Sequence, residues 1–152
     1  MKTNNNYKLD ENLALGVKNF IKTASQRYIT CESLEIEEVA TDFVKMSVEV
    51  LPQTSNPYGM IHGGVLFTLA DSVAGLTCIT MGKKVVTLTS NIQFVKSARS
   101  GRVHASPRIL HKGRTTILME VDMVDDSSNL ISKASFNMFV IGDLREYEED
   151  HE

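Results

Sequence analysis

Residues 62–82 read His-Gly-Gly-Val-Leu-Phe-Thr-Leu-Ala-Asp-Ser-Val-Ala-Gly-Leu-Thr-Cys-Ile-Thr-Met-Gly, and they decide how the rest of the chain must be arranged. At 100° per residue the large apolar side chains of this stretch point in nearly every direction instead of forming one stripe. A helix that is apolar all round is buried on all sides. The flanks supply what could bury it. Upstream, residues 33–52 (SLEIEEVATDFVKMSVEVLP) alternate, with Val44, Met46, Val48 and Val50 facing one way and Lys45, Ser47 and Glu49 the other. This predicts two strands joined by a hairpin near Thr41-Asp42. Downstream, VVTLTSNIQFV, RVHASPRIL, TTILMEVDMV and LISKASFNMFV alternate in the same way and are separated by SARSG, HKGR and DDSSN, which are turn chemistry.

Further out, Leu13, Val17, Phe20, Ile21, Ala24 and Tyr28 recur at three- and four-residue spacing, predicting an amphipathic helix over Leu9–Tyr28 with Asp10 and Glu11 at its start. Residues 53–64 (QTSNPYGMIHGG) are rich in turn formers and read as a loop that runs into the buried helix. The order is helix, two strands, long helix, four strands. An α+β fold follows, with an antiparallel sheet of five or six strands wrapped around the central helix. A flat sandwich with the first helix on the outer face would leave one side of the central helix uncovered. The expected divisions are residues 1–30 for the N-terminal helix, 31–142 for the wrapped domain and 143–152 for an acidic tail.

Composition narrows the class. With 152 residues, 42% apolar and 23% charged, and only three prolines, the chain has enough core for one ordinary globular domain. Cys31 and Cys78 are too far apart in sequence for a C-x-x-C pair, which suggests a reducing cytoplasm and no zinc. No signal peptide and no charge-free apolar run of spanning length is read, so no membrane partner is expected. The net charge of −3 is uneven: Lys83 through Met119 holds eight Lys/Arg and no acid. Without Trp or a nucleic-acid motif, this local field is expected to meet a small polyphosphate rather than nucleic acid.

Within the central helix Asp71 is the only charged residue between His62 and Lys83, an expensive place for a carboxylate unless it is used or capped. His62-Gly63-Gly64 at the helix start exposes backbone N–H groups on the positive end of the dipole, a donor set suited to a developing oxyanion. Asp71 lies eight residues after Gly63, about 12 Å along a helix. If both act on one small substrate, the carboxylate must meet the helix start of another subunit, as a two-fold axis allows.

Asn56-Pro57-Tyr58-Gly59-Met60-Ile61-His62-Gly63-Gly64 followed by Asp71 resembles the PaaI-type acyl-CoA thioesterases of the hotdog-fold superfamily, over about Ser33 to Ile141. The resemblance implies a homodimer, commonly paired into a tetramer, that hydrolyses a thioester to a free acid and coenzyme A. Coenzyme A enters as part of the substrate and no separate cofactor is implied. It further implies that the Gly63 amide polarises the carbonyl with help from Asn56, that His62 holds this corner, and that Asp71 activates water or attacks directly. Relatives assist the aspartate with a serine on the next strand. Here Thr87 occupies that position, with Thr89 and Ser90 as alternatives. His111-Lys112-Gly113-Arg114-Thr115 resembles the segment beside the pantetheine arm, which makes Lys112, Gly113 and Arg114 substrate-binding candidates, with Lys96, Arg99 and Arg102 nearby. Phe67, Met60 and Tyr58 are the expected acyl-side residues, and Gly64 is a further substrate-binding candidate.

No nucleophile elbow G-x-S-x-G is present, and His104, His111 and His151 are dispersed, so neither a Ser-His-Asp triad nor a metal centre is expected. Two other functions compete. A hotdog hydratase or dehydratase would pair a histidine with an acid, which His62 and Asp71 could imitate. A non-enzymatic acyl-CoA sensor would have no use for Asp71.

Overall fold

A computed structural model describes residues 6–27 and 33–144, apart from the side chains of residues 25–27. The central helix α2 (Gly63–Thr80) follows β1 (Lys8–Leu9), α1 (Leu15–Arg27), β2 (Leu34–Ala40) and β3 (Phe43–Glu49). It is followed by β4 (Lys83–Phe94), β5 (Arg102–Lys112), β6 (Thr116–Val124) and β7 (Leu130–Asp143). The strands form one sheet in the order β1-β2-β3-β5-β6-β7-β4. All neighbours are antiparallel except β1, which adds two residues parallel to β2.

The sheet curls around α2, which touches each of the six long strands. α1 packs on α2 rather than on the outer face of the sheet, and Leu13, Val17, Ile21 and Ala24 join the same core as Val44, Met119 and Phe136. By length and composition α2 could cross a membrane, but more than half of it is buried inside the protein, the position of a core helix.

Several expectations need correction. The first helix starts at Leu15, not Leu9, because Lys8 and Leu9 pair with Glu38 and Val39, so Asp10 and Glu11 lie before the helix instead of in its first turn. Tyr28, Cys31 and His151 lie outside the described residues. β7 runs to Asp143 and Leu144 is buried, so the sheet reaches into the stretch assigned to the tail, whose remaining residues are not described. The central helix is also not enclosed all round. Gly64, Thr68, Asp71, Ser72 and Gly75, spaced three and four apart, form a stripe that neither the sheet nor α1 buries. One chain supplies only enough sheet to wrap part of the helix.

The hairpin at Thr41-Asp42 is present, with Asp42 at φ +61, a left-handed conformation that aspartate tolerates. The outer face of β2, β3 and β5 carries an ionic cluster. Arg102 meets Glu35 and Glu49 and donates to the Ser47 hydroxyl. His104 lies between Glu37 (2.5 Å) and Asp126 (2.7 Å), and donates to both only when its ring holds both protons.

Candidate active site

The loop before α2 is built around Asn56. Its Oδ1 accepts the N–H groups of Tyr58 (2.9 Å) and Met60 (3.2 Å), while its own N–H donates to the Met60 carbonyl (2.7 Å). Gly59, at φ +77, completes the turn. The acceptor end of the Asn56 carboxamide is thus used inside the loop, and the NH2 end is left as a donor. Arg99 donates to the Tyr58 carbonyl (3.0 Å), tying the segment after β4 to this loop.

His62 caps the helix. Its backbone is extended, and its Nδ1 accepts the Gly64 N–H at 2.8 Å, which requires the proton on Nε2. The N–H groups of Val65 and Leu66 both go to the His62 carbonyl. Of the first-turn amides, Gly63 alone is left without an acceptor among the described residues. The cap therefore selects Gly63 rather than Gly64 as the available donor, at the positive end of an 18-residue helix.

Asp71 sits on the uncovered stripe of α2. Thr87 donates its hydroxyl to Asp71 Oδ1 at 2.7 Å. Thr87 lies on the inner face of β4 opposite Met138, and the register shift between Thr87 and Thr89 makes Leu88 a bulge. Past the bulge Thr89 pairs with Asn137 and Ser90 with Phe136, and of the three hydroxyls it is that of Thr87 that bonds the carboxylate. Asp71 Oδ2 has no partner among the described residues. Gly63 and Asp71 remain about 12 Å apart along one unbroken helix.

A cleft of about 270 Å³ brings together Asn56, Gly63, Met60, Ile61, Leu66, Phe94, Val95 and Lys96. Of the expected acyl-side residues Met60 is present, but Phe67 packs on Phe136 (ring centroids 5.8 Å apart) and Tyr58 is 75% exposed outside the cleft. Phe94, which sequence reasoning missed, takes the place expected for Phe67. No signal in the sequence set it apart, since its place over Gly63 follows from tertiary packing. A larger cavity of about 750 Å³ lies at the other end of α2, against the start of α1, and contains none of these chemical groups.

The cations divide by occupation. Lys112 is paired with Asp42 (3.2 Å) and Arg102 with Glu35 (3.1 Å), whereas Arg114 and Lys96 have no ion-pair partner among the described residues. Gly113 donates to the Thr116 carbonyl in a tight turn. Lys112 is on the same sheet rung as Ile117, Met138 and Thr87, three strand spacings or about 14 Å from Thr87. Burial, with the Asp42 charge, pushes the Cys78 thiol up to about 12, which removes it as a nucleophile near neutral pH. No group of three or more His, Cys, Asp or Glu that could hold a metal ion occurs among the described residues.

Comparison with known proteins shows what this chain is similar to. The Thioesterase superfamily profile matches residues 58–132. The 1,4-dihydroxy-2-naphthoyl-CoA hydrolase of Escherichia coli is 33% identical over 100 residues, 64% of this chain and 74% of the relative. A hypothetical thioesterase of Streptococcus pneumoniae, solved with coenzyme A, is 37% identical, with a TM-score of 0.70 over 74% of this chain and 91% of that one. Variants of the Streptococcus pneumoniae protein with alanine for an aspartate at its position 52 and for a threonine at its position 68 have also been solved. The PaaI protein of Escherichia coli, at 20% identity and a TM-score of 0.78 over 86% of this chain and 97% of that one, shares the fold.

Proposed function

Because this chain belongs to the thioesterase superfamily, as a PaaI-type hotdog thioester hydrolase, we propose that it cleaves acyl-CoA at a site shared between two subunits. One subunit supplies the Gly63 N–H and the Asn56 NH2 to the carbonyl oxygen. The other supplies Asp71, held by Thr87. Asp71 Oδ2 takes a proton from water as the water oxygen bonds to the carbonyl carbon, and the oxygen that becomes anionic is met by the Gly63 amide. The carbon–sulfur bond then breaks, coenzyme A leaves as its thiol after taking up that proton, and the free acid remains.

The observation that carries this reading is the hydrogen bonding around the helix start and the aspartate. The His62 cap leaves one amide free, and Thr87 holds one carboxylate oxygen while leaving the other open. The substituted aspartate and threonine of the Streptococcus pneumoniae protein lie sixteen residues apart, as do Asp71 and Thr87. Two subunits are needed because 12 Å separates donor and base within one chain. β4 supports such pairing, since it is the sheet edge and exposes Val86, Leu88 and Phe94.

Arg114, which has no ion-pair partner among the described residues, is the cation assigned to the polyphosphate of coenzyme A, and Gly113 forms the turn before it. The reaction is assigned to the cytoplasm, with which the buried unpaired Cys78 agrees. A hydratase reading is disfavoured because His62 spends Nδ1 on the Gly64 N–H, which leaves its ring without a free basic nitrogen to serve as a catalytic base. Thiol release measured over a panel of aryl-, short- and long-chain acyl-CoAs tests the reading. Hydration of an enoyl-CoA without thiol release would replace it, and tight acyl-CoA binding without turnover would favour a sensor.

A further inference from the structure

We propose that Arg99 is a positioning residue for hydrolysis: by clamping the Tyr58 carbonyl it holds the loop tip that aims the Asn56 carboxamide at the thioester oxygen. The inference rests on the thioesterase reading above, in which the Asn56 NH2 is one of two donors to that oxygen. The two donors are held differently. The Gly63 N–H belongs to an 18-residue helix. The Asn56 side chain is fixed by its own Oδ1, which accepts the Tyr58 N–H (2.9 Å) and the Met60 N–H (3.2 Å). A shift of Tyr58 therefore turns the carboxamide with it.

No apolar packing anchors the tip, since Pro57, Tyr58 and Gly59 are all exposed. Among the described residues, the bond that Arg99 Nη1 donates to the Tyr58 carbonyl (3.0 Å) is the hydrogen bond that ties these three residues to anything outside their own loop. Its donor is charged, which strengthens it relative to a neutral pair. The backbone that carries the guanidinium is itself fixed. On one side of Arg99 the Ala98 carbonyl accepts the Ile61 N–H (2.8 Å), and on the other the Gly101 carbonyl accepts the Val50 N–H (2.8 Å). Ala98 is buried. Arg99 lies outside the cleft, whose wall on this segment ends at Ser97, so it acts through the loop rather than on the substrate. All of these groups belong to one chain, and the clamp needs no partner.

The test measures kcat and KM for thiol release, and the melting temperature, in wild type, Arg99→Met, Asn56→Ser and the double variant. The substrate is whichever of acetyl-, hexanoyl-, dodecanoyl- and benzoyl-CoA the wild type turns over fastest. Serine at position 56 can still accept the Tyr58 N–H but has no NH2; Asn56→Asp replaces it if that variant does not fold. Losing a donor to the oxyanion costs roughly 10²–10³ in kcat. Arg99→Met, which only lets that donor wander, should cost roughly tenfold in kcat with KM nearly unchanged. In the Asn56→Ser background the same change should have almost no further effect, because the group through which Arg99 acts is already lost. Equal losses in both backgrounds overturn the proposal, as does a loss that follows the unfolded fraction. A KM that rises and recovers at low salt, with kcat held, makes Arg99 a phosphate contact and overturns it too. A wild type that releases thiol from none of the four substrates removes the thioesterase reading and this inference with it, whereas a working hydrolase indifferent to Arg99→Met overturns the inference alone.

Discussion

Asp71→Asn separates chemistry from structure more cleanly than any other single change. Asparagine keeps an oxygen where Thr87 donates at 2.7 Å, so the side chain stays oriented and only the base is lost. Removing a positioned general base costs roughly 10²–10⁴ in rate, which is about 3–5 kcal/mol of transition-state stabilisation at 1.36 kcal/mol per decade. Stability moves far less. A hydrogen bond to a charged acceptor contributes roughly 1 kcal/mol more than one to a neutral acceptor. The partly exposed position, with no cation paired to the carboxylate among the described residues, offsets part of that. The melting temperature should therefore shift by no more than about 4 °C for a chain of this size. kcat from thiol release and the melting temperature should be measured on one preparation. A near-normal kcat would refute the role of Asp71 as base, and a rate loss that only tracks the unfolded fraction would show a structural carboxylate. Thr87→Val is expected to lower kcat about tenfold with KM unchanged and Thr87→Ser to restore it, since the hydroxyl only holds the base.

Arg114→Met should raise KM for acyl-CoA several-fold, with the difference shrinking as salt is added, while Lys112→Met, whose ammonium Asp42 already holds, should change KM less. A larger effect at Lys112 in the same salt titration would show that the Asp42 pair opens to receive phosphate. Acid sensitivity follows from Asp126, which the hydrogen bond from His104, then that from the Arg102 N–H, holds below the usual 3.8. A carboxyl lowered in the folded state stabilises fully above its unfolded value and loses that contribution as pH falls through the folded one, so the loss falls below about pH 4. Melting temperature against pH should fall less steeply there in Asp126→Asn than in wild type, and parallel curves would show that the cluster adds nothing.

The pattern of the fold was legible because patterning and burial agreed. An apolar helix flanked by alternating runs leaves few arrangements that cover it, and the wrapped sheet is the one found. Asp71 and the His62-Gly63-Gly64 start were legible as isolated polar features inside an apolar run. What local sequence did not reveal was selection among equivalent groups. Which of Gly63 and Gly64 keeps a free N–H depends on where the His62 ring turns, and which of Thr87, Thr89 and Ser90 meets Asp71 depends on the bulge at Leu88. Periodicity is blind to both, since a bulge shifts facing without changing composition. Phe67 and Phe94 were indistinguishable as apolar residues. Only tertiary packing sent one into the core against Phe136 and the other over Gly63.

β4 also constrains how two chains would meet. It carries Thr87 beside Asp71 and Phe94 beside Gly63, so each chain presents two half-sites on one strand. A complete site needs Thr87 of one chain near Phe94 of the other, which an antiparallel pair of β4 edges provides. Residues opposite one another must share a face. Phe94 and Ser90 lie on the inner side with Phe136, and the extra residue at Leu88 brings Thr87 onto that side as well. Counting the bulge as one lost step, the two-fold axis falls at Asn91, which then faces its own copy. Directly opposite residues have Cα atoms about 4.5–5.5 Å apart, within disulfide range. Asn91→Cys should therefore form a crosslinked dimer under mild oxidation. Gln93→Cys, two residues off the axis and so about 13 Å from its copy along the strand, should not. Non-reducing electrophoresis reads both. Crosslinking at position 93 but not at 91 would move the axis and separate the half-sites, and crosslinking at neither would mean that β4 is not the edge that pairs.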